Sequence, residues 1–146
     1  MIPEAVDIGA LWKVLPEGIH DATINEIHER FATNKRRKEL FACLKRALKD
    51  LKFAGCMTVY LDGSFITEKK NPGDYDCCWD VAGVDDKKIK PIFLDFKDER
   101  KNQKSEYRGE FFPSHFPADG QHNFLEFFQI DKDTGHKKGI IRINLI

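Results

Sequence analysis

Two apolar runs meet across a short polar hinge in the middle of the chain, and that meeting limits the folds open to it. Met57 to Leu61 runs into Asp62-Gly63-Ser64-Phe65, and ten residues after Ser64 a second apolar run begins at Asp74-Tyr75-Asp76-Cys77. Cys56 to Leu61, rich in Val and Tyr, reads as a buried strand, and Tyr75 to Val81 reads as a second. Between them Lys69-Lys70-Asn71-Pro72-Gly73 is a turn. This layout sets a backbone bend beside two carboxylates. Gly63 lets N–H groups approach an anion closely, and Ser64 adds a hydroxyl donor. Asp74 and Asp76 share one side of a strand because side chains alternate with period two. Hard oxygen ligands on one face suit Mg²⁺, which usually takes one or two carboxylates plus substrate phosphates.

The flanking pattern predicts an α+β fold. Thr23 with Glu26 three residues on is a capping box that opens a short helix at Ala22 to Ile27. From Asn34 to Phe53 the positions Leu40, Phe41, Leu44, Ala47, Leu48 and Leu51 recur at three and four, an amphipathic helix that stops at Ala54-Gly55. Val84 to Asp95 reads as a short helix interrupted at Pro91, and Asp98 to Glu110 as a polar helix or loop. Phe111-Phe112-Pro113 and His115 to Gly120 read as an aromatic loop punctuated by proline. A closing hairpin is expected, with strands Asn123 to Ile130 and Gly139 to Ile146 around Asp131 to His136. Met1 to Gly18 is expected to be an extended arm lying on a single domain of residues 1–146. Helix, strand, turn, strand, helix and strands together give a mixed β-sheet with helices packed mainly on one face.

The pairing of Gly63-Ser64 with Asp74-Tyr75-Asp76 resembles the DNA polymerase β-type nucleotidyltransferase superfamily. Tyr60 to Thr67 and Asp74 to Asp80 look like a subgroup of small bacterial and phage nucleotidyltransferase-like proteins. The likeness extends to Leu15 to His20, Phe124 to Gln129 and Lys138 to Ile141. The resemblance implies a minimal nucleotidyltransferase-like fold that moves a nucleotidyl group from an NTP to a hydroxyl on an RNA, a protein or a small molecule. It implies a two-ion Mg²⁺ site on Asp74 and Asp76, with Gly63 and Ser64 on the triphosphate. It also implies a third carboxylate on a later strand. Glu126, within Phe124-Leu125-Glu126-Phe127-Phe128, is the first candidate because an unpaired charge in an apolar strand is costly; Asp95 is the competitor, and Asp80 a secondary one. Relatives of this size often belong to toxin–antitoxin or phage-defence pairs, so a partner protein is a further expectation. Many active small members carry Arg-Gly soon after Gly-Ser, where this chain has Phe65-Ile66-Thr67-Glu68. Triphosphate charge then falls to Lys69 and Lys70, with Arg108 and Lys138 as further candidates. That departure supports the alternative of a catalytically degenerate, antitoxin-like module that binds a nucleotide or a protein.

Composition narrows the remaining classes. With 41% hydrophobic and 33% charged residues the chain has the makings of a folded core and is not disordered. No apolar run reaches membrane-span length, and Met1 to Gly9 has no basic n-region, so a cytoplasmic location without a membrane partner is expected. Cys43, Cys56, Cys77 and Cys78 lack metal-clip spacing and read as reduced core residues. His20, His28, His115, His122 and His136 show no zinc-ligand spacing. Trp79, Phe111, Phe112 and Phe116 are either core or a stacking platform for a base, and His115 and His122 flank that aromatic stretch. Formal net charge is zero, which removes global charge as a reason to expect nucleic acid. The local basic runs Lys35 to Lys38, Lys87 to Lys90 and Lys97 to Lys104 are either solvated helix faces or a phosphate-attracting rim.

Overall fold

The computed structural model describes residues 1–146. Local signals place its first helices. In α1, Ile24–Phe31, the Thr23 hydroxyl accepts the Glu26 N–H while the Glu26 carboxylate accepts the Thr23 N–H, the expected capping box. In α2, Lys35–Phe53, the Asn34 side chain accepts the Arg37 N–H at 2.9 Å. The predicted stripe of α2 is its buried face, and Leu40, Leu44, Ala47 and Leu51 are fully buried. Each buried leucine contributes on the order of 1.5–3 kcal/mol of apolar burial.

Five strands form one mixed sheet. They are β1 (Gly18–Asp21), β2 (Thr58–Asp62), β3 (Tyr75–Trp79), β4 (Gly109–Pro113) and β5 (Gly139–Asn144), in the order β1-β5-β2-β3-β4. The central strand β2 is antiparallel to both β3 and β5, whereas β1 pairs with β5, and β3 with β4, in parallel. Alternation gives the sheet two dressed faces. Val59, Leu61, Tyr75, Cys77, Phe111, Ile141 and Ile143 meet α1, α2 and Tyr107 of α3 (Lys97–Tyr107) in the larger core. Cys78, Phe112 and Ile140, on the other face, meet Phe128 of the short α4 (Phe124–Phe128). The α+β class, and helices mainly on one face, are therefore as expected. No helix is long and apolar enough to cross a membrane. All four cysteines are free thiols.

Four expectations give way. Phe111-Phe112-Pro113 is not a loop: it belongs to β4, in parallel register with Cys77, Cys78 and Trp79. Asn123 to Ile130 is not a hairpin strand. Asn123 and Glu126 form a second capping box that starts α4, and the nearest pairing is an isolated bridge from Ile130 to Lys137, before the second expected strand begins. β5 instead lies between β1 and β2, so the last residue of the expected arm, Gly18, joins the sheet at the head of β1. Val84 to Asp95 holds turns and a 3-10 turn over Pro91–Leu94 in place of a helix, since Pro91 has no N–H to extend one.

Candidate functional site: an acidic cleft below a serine-bearing turn

The second face of the sheet, left uncovered by the long helices, carries the chemistry. β2 ends at Asp62, β3 begins at Tyr75 and β4 at Gly109, so three strand ends lie side by side. Their registers pair Asp62 with Asp76 and Asp76 with Glu110. Three carboxylates thus stand in one row across adjacent strands, with Asp74 one pleat before Asp76. Two glycines make the row possible. Gly63 turns the chain out of β2 at φ +93°, and a Cβ there would sit 3.0 Å from the Asp76 nitrogen and 3.1 Å from its Oδ2. At Gly109 a Cβ would lie 2.6 Å from the Tyr75 ring, so glycine lets β4 close onto β3 and brings Glu110 level with Asp76. Ser64 then opens a 3-10 turn, Ser64–Ile66, beside the acids.

The result is a cleft of about 640 Å³. Its floor holds Gly63, Ser64, Asp62, Asp74, Asp76 and Glu110. One wall is apolar, from Phe124, Phe127 and Phe128 of α4 with Phe112, whose ring stacks on Phe124 at 4.0 Å between centroids. The outer rim comes from Ala10 to Trp12 of the arm, where Lys69 Nζ stands 4.8 Å from the centre of the Trp12 ring. The loop before β5 adds Asp131, Lys132, Asp133 and Lys138.

Charge decides what this cleft can hold. Six acids line it against four cations, Lys69, Arg100, Lys132 and Lys138. Two acids are already neutralised: Lys138 pairs with Asp62 in a nearly buried contact, and Lys104 and Arg100 pair with Glu110 at 2.9 and 3.4 Å. Asp74 and Asp76 form no such pair. Burial raises the Asp74 carboxyl above its ordinary value, and Glu110 raises it further. Burial pushes Asp76 well above its ordinary value, Asp62, Glu110 and Asp74 add repulsion, and Lys138 relieves only part of it. As the side chains stand, no three His, Cys, Asp or Glu groups are placed together to hold a metal ion. What the floor offers is an adjacent pair of hard oxygen donors under electrostatic tension, chemistry that fits a divalent cation of the Mg²⁺ type.

Of the residues singled out from sequence, Gly63, Ser64, Lys69, Asp74 and Asp76 all line this cleft. Lys70 does not; it lines a second cavity beside the start of α2. Glu126 is exposed on α4, spent on its capping box. Asp95 accepts from the Lys97 N–H and the Asn102 side chain, away from the cleft. Asp80 accepts the Ala82 N–H in the turn after β3, and Arg108 pairs with Glu39. Phe111 and Trp79 are core, while Phe112 reaches the cleft. Sequence reasoning missed Glu110 and Asp62; Lys138, a further candidate for triphosphate charge, does line the cleft but is paired with Asp62. For Glu110 a signal existed: an acid followed by Phe111-Phe112-Pro113 alternates as a strand does, with Glu110 and Phe112 on one face.

Fold and cleft together define an α+β domain whose sheet carries an acidic cleft opened by a glycine-serine turn. The family DUF6932, a family of unknown function, matches residues 10–144, and the chain belongs to it. No curated protein and no solved structure matches the chain.

Proposed function

We propose that the chain is a nucleotidyltransferase-like enzyme that moves a nucleotidyl group from an NTP to a hydroxyl. One observation carries the reading: the glycine-serine turn, Asp74, Asp76 and a third acid, Glu110, converge on one cleft. Asp74 and Asp76 would hold Mg²⁺, with Glu110 as a further oxygen donor. Bound there, the ions would neutralise charge on the attacking and leaving oxygens of the transferred group. Gly63 leaves room for phosphate against the backbone, and Ser64 supplies a hydroxyl donor. Lys69, at the rim, neutralises the outer phosphates. Glu110 lies beside Asp76 to accept the proton of the incoming hydroxyl. An acidic cleft repels a bare triphosphate, so the nucleotide enters with its cations.

A second reading has its own support. Lys138 on Asp62 and Arg100 and Lys104 on Glu110 give the acids internal partners, as a module that binds a nucleotide or a protein without catalysis would. Titration calorimetry of Mg²⁺ with each NTP, on the parent chain and on Asp76→Ala, separates the two. Metal-dependent nucleotide binding that vanishes in the variant, together with Mg²⁺-dependent pyrophosphate release from a labelled NTP in the presence of total tRNA, supports the enzyme; binding without release leaves the nucleotide-binding module, and no binding of any nucleotide leaves the protein-binding one.

A further inference from the structure

A second cavity, of about 300 Å³, lies where the end of α1, the start of α2 and residues 66–70 meet. Its walls carry Arg30, Arg37, Lys69 and Lys70 against one acid, Glu68. Thr67 and Lys69 line both this cavity and the acidic cleft, so the two adjoin. The positive charge here is uncompensated. No ion pair of the chain involves any of these four cations, nor Lys35, Arg36 or Lys38 beside them. Arg37, 4% exposed, donates to the carbonyls of Phe31, Phe65, Thr67 and Lys69, and Arg30 donates to those of Ile2 and Pro3. Carbonyl dipoles hold a guanidinium in place without cancelling its charge.

The start of α2 makes the same point from the sequence side. A helix favours acids in its first turn, and α2 has none there: it opens Lys35-Arg36-Arg37-Lys38, with Lys35, Arg36 and Lys38 exposed. Four cations where the helix dipole disfavours them are a local conflict of the kind that marks a functional surface. The helix end is itself closed by Asn34, so what attracts an anion is the side chains and not free N–H groups. At the junction with the cleft stands Trp12, 39% exposed, with Lys69 against its ring. A basic trough, extended past one phosphate and ending at an accessible aromatic ring, matches the backbone and bases of a nucleic acid strand.

We propose that this trough binds the phosphate backbone of a single-stranded polynucleotide, stacks a base on Trp12, and delivers the strand's terminal hydroxyl to the acidic cleft. The binding step stands on the basic surface alone; delivery for transfer rests on the function proposed above. The cleft's own acids repel the following phosphates, so only the end of the strand enters it.

Fluorescence anisotropy with a labelled single-stranded RNA of about 12 nucleotides, and the same sequence as DNA, tests this in EDTA without nucleotide. The full chain should bind at about 50 mM salt and lose affinity steeply as salt rises. Lys35→Glu combined with Arg36→Glu should weaken binding at least about tenfold while leaving the melting temperature unchanged or higher, because acids suit that turn. Trp12→Ala should weaken binding about tenfold, the value of one stacked base. Absence of binding at low salt, equal affinity of the charge-reversed variant, or equally tight binding of polyglutamate would overturn the proposal. The companion variant Asp74→Asn/Asp76→Asn should keep its RNA affinity. RNA binding without Mg²⁺-dependent nucleotide binding would sink only the transfer reading, and the reverse result would sink only the trough.

Discussion

Replacing Asp76 by Asn should stabilise the metal-free fold and abolish its response to Mg²⁺. The carboxylate lies in register between Asp62 on β2 and Glu110 on β4, and burial together with those acids holds its pKa well above the ordinary value. In the unfolded chain the same group ionises at the ordinary carboxylate value. As pH rises past that value, the unfolded state gains by releasing its proton while the folded state still holds one. Stability therefore falls with rising pH until the folded group has ionised too, and the penalty is complete above that point. Asparagine keeps the size and removes the charge. Asparagine keeps the cost of an unpaired buried polar group but loses that of the charge; a pKa raised by one is worth about 1.4 kcal/mol, so the variant should gain on the order of 1–3 kcal/mol in EDTA at about pH 8. At roughly 3 °C per kcal/mol for a chain of this length, its melting temperature should rise by about 3–9 °C. The gain should shrink as pH falls through the ordinary carboxylate value of 3.8, below which both states of the parent are protonated. Mg²⁺ should raise the melting temperature of the parent, because it binds the folded state alone, and leave that of the variant unchanged. Differential scanning calorimetry in EDTA and in Mg²⁺ reads all of this. A variant that melts below its parent at pH 8 in EDTA, or an equal Mg²⁺ response in both, would refute the reasoning.

Further outcomes follow from the same geometry. Glu110→Gln should weaken Mg²⁺-dependent nucleotide binding at least about tenfold, about 1.4 kcal/mol, in titration calorimetry. Glu126→Ala should leave that binding intact and cost about 1 kcal/mol in thermal melts through its lost cap on α4. Gly63→Ala should destabilise by about 1–3 kcal/mol in urea titrations, because its φ of +93° disfavours a side chain and the added Cβ meets Asp76; a neutral result would separate the turn from the acid. At neutral pH an aromatic disulfide reagent should label only Cys43 of the four thiols in the native chain and all four in denaturant. Burial pushes the Cys56 thiol up to about 11 and raises Cys77 and Cys78 as well.

Much of the frame is legible locally. Thr23 with Glu26, Asn34 before a periodic run, and the apolar entries into Gly63 and Tyr75 each act within a few residues. Their backbone consequences therefore hold whatever the rest of the chain does. The same holds for the core of the site, since one glycine turn and one period-two spacing bring Gly63, Ser64, Asp74 and Asp76 to the cleft. Phe124 to Phe128 marks the limit. Five residues of mostly aromatic sequence satisfy strand alternation and helix periodicity alike, and the decision falls to the Asn123 cap and to stacking on Phe112, a strand away.

By itself the sequence determined α1, α2, the central strands and the two acids that lie one pleat apart. The tertiary structure alone decided that Glu110, not Glu126 or Asp95, completes the acidic row, that Lys138 neutralises an acid 76 residues away, and that a basic cavity beside the start of α2 shares Thr67 and Lys69 with that cleft. Strand register between distant segments sets the acidic row and the packing of helices and loops sets the rest, and both are properties of packed pairs that no single stretch of chain contains.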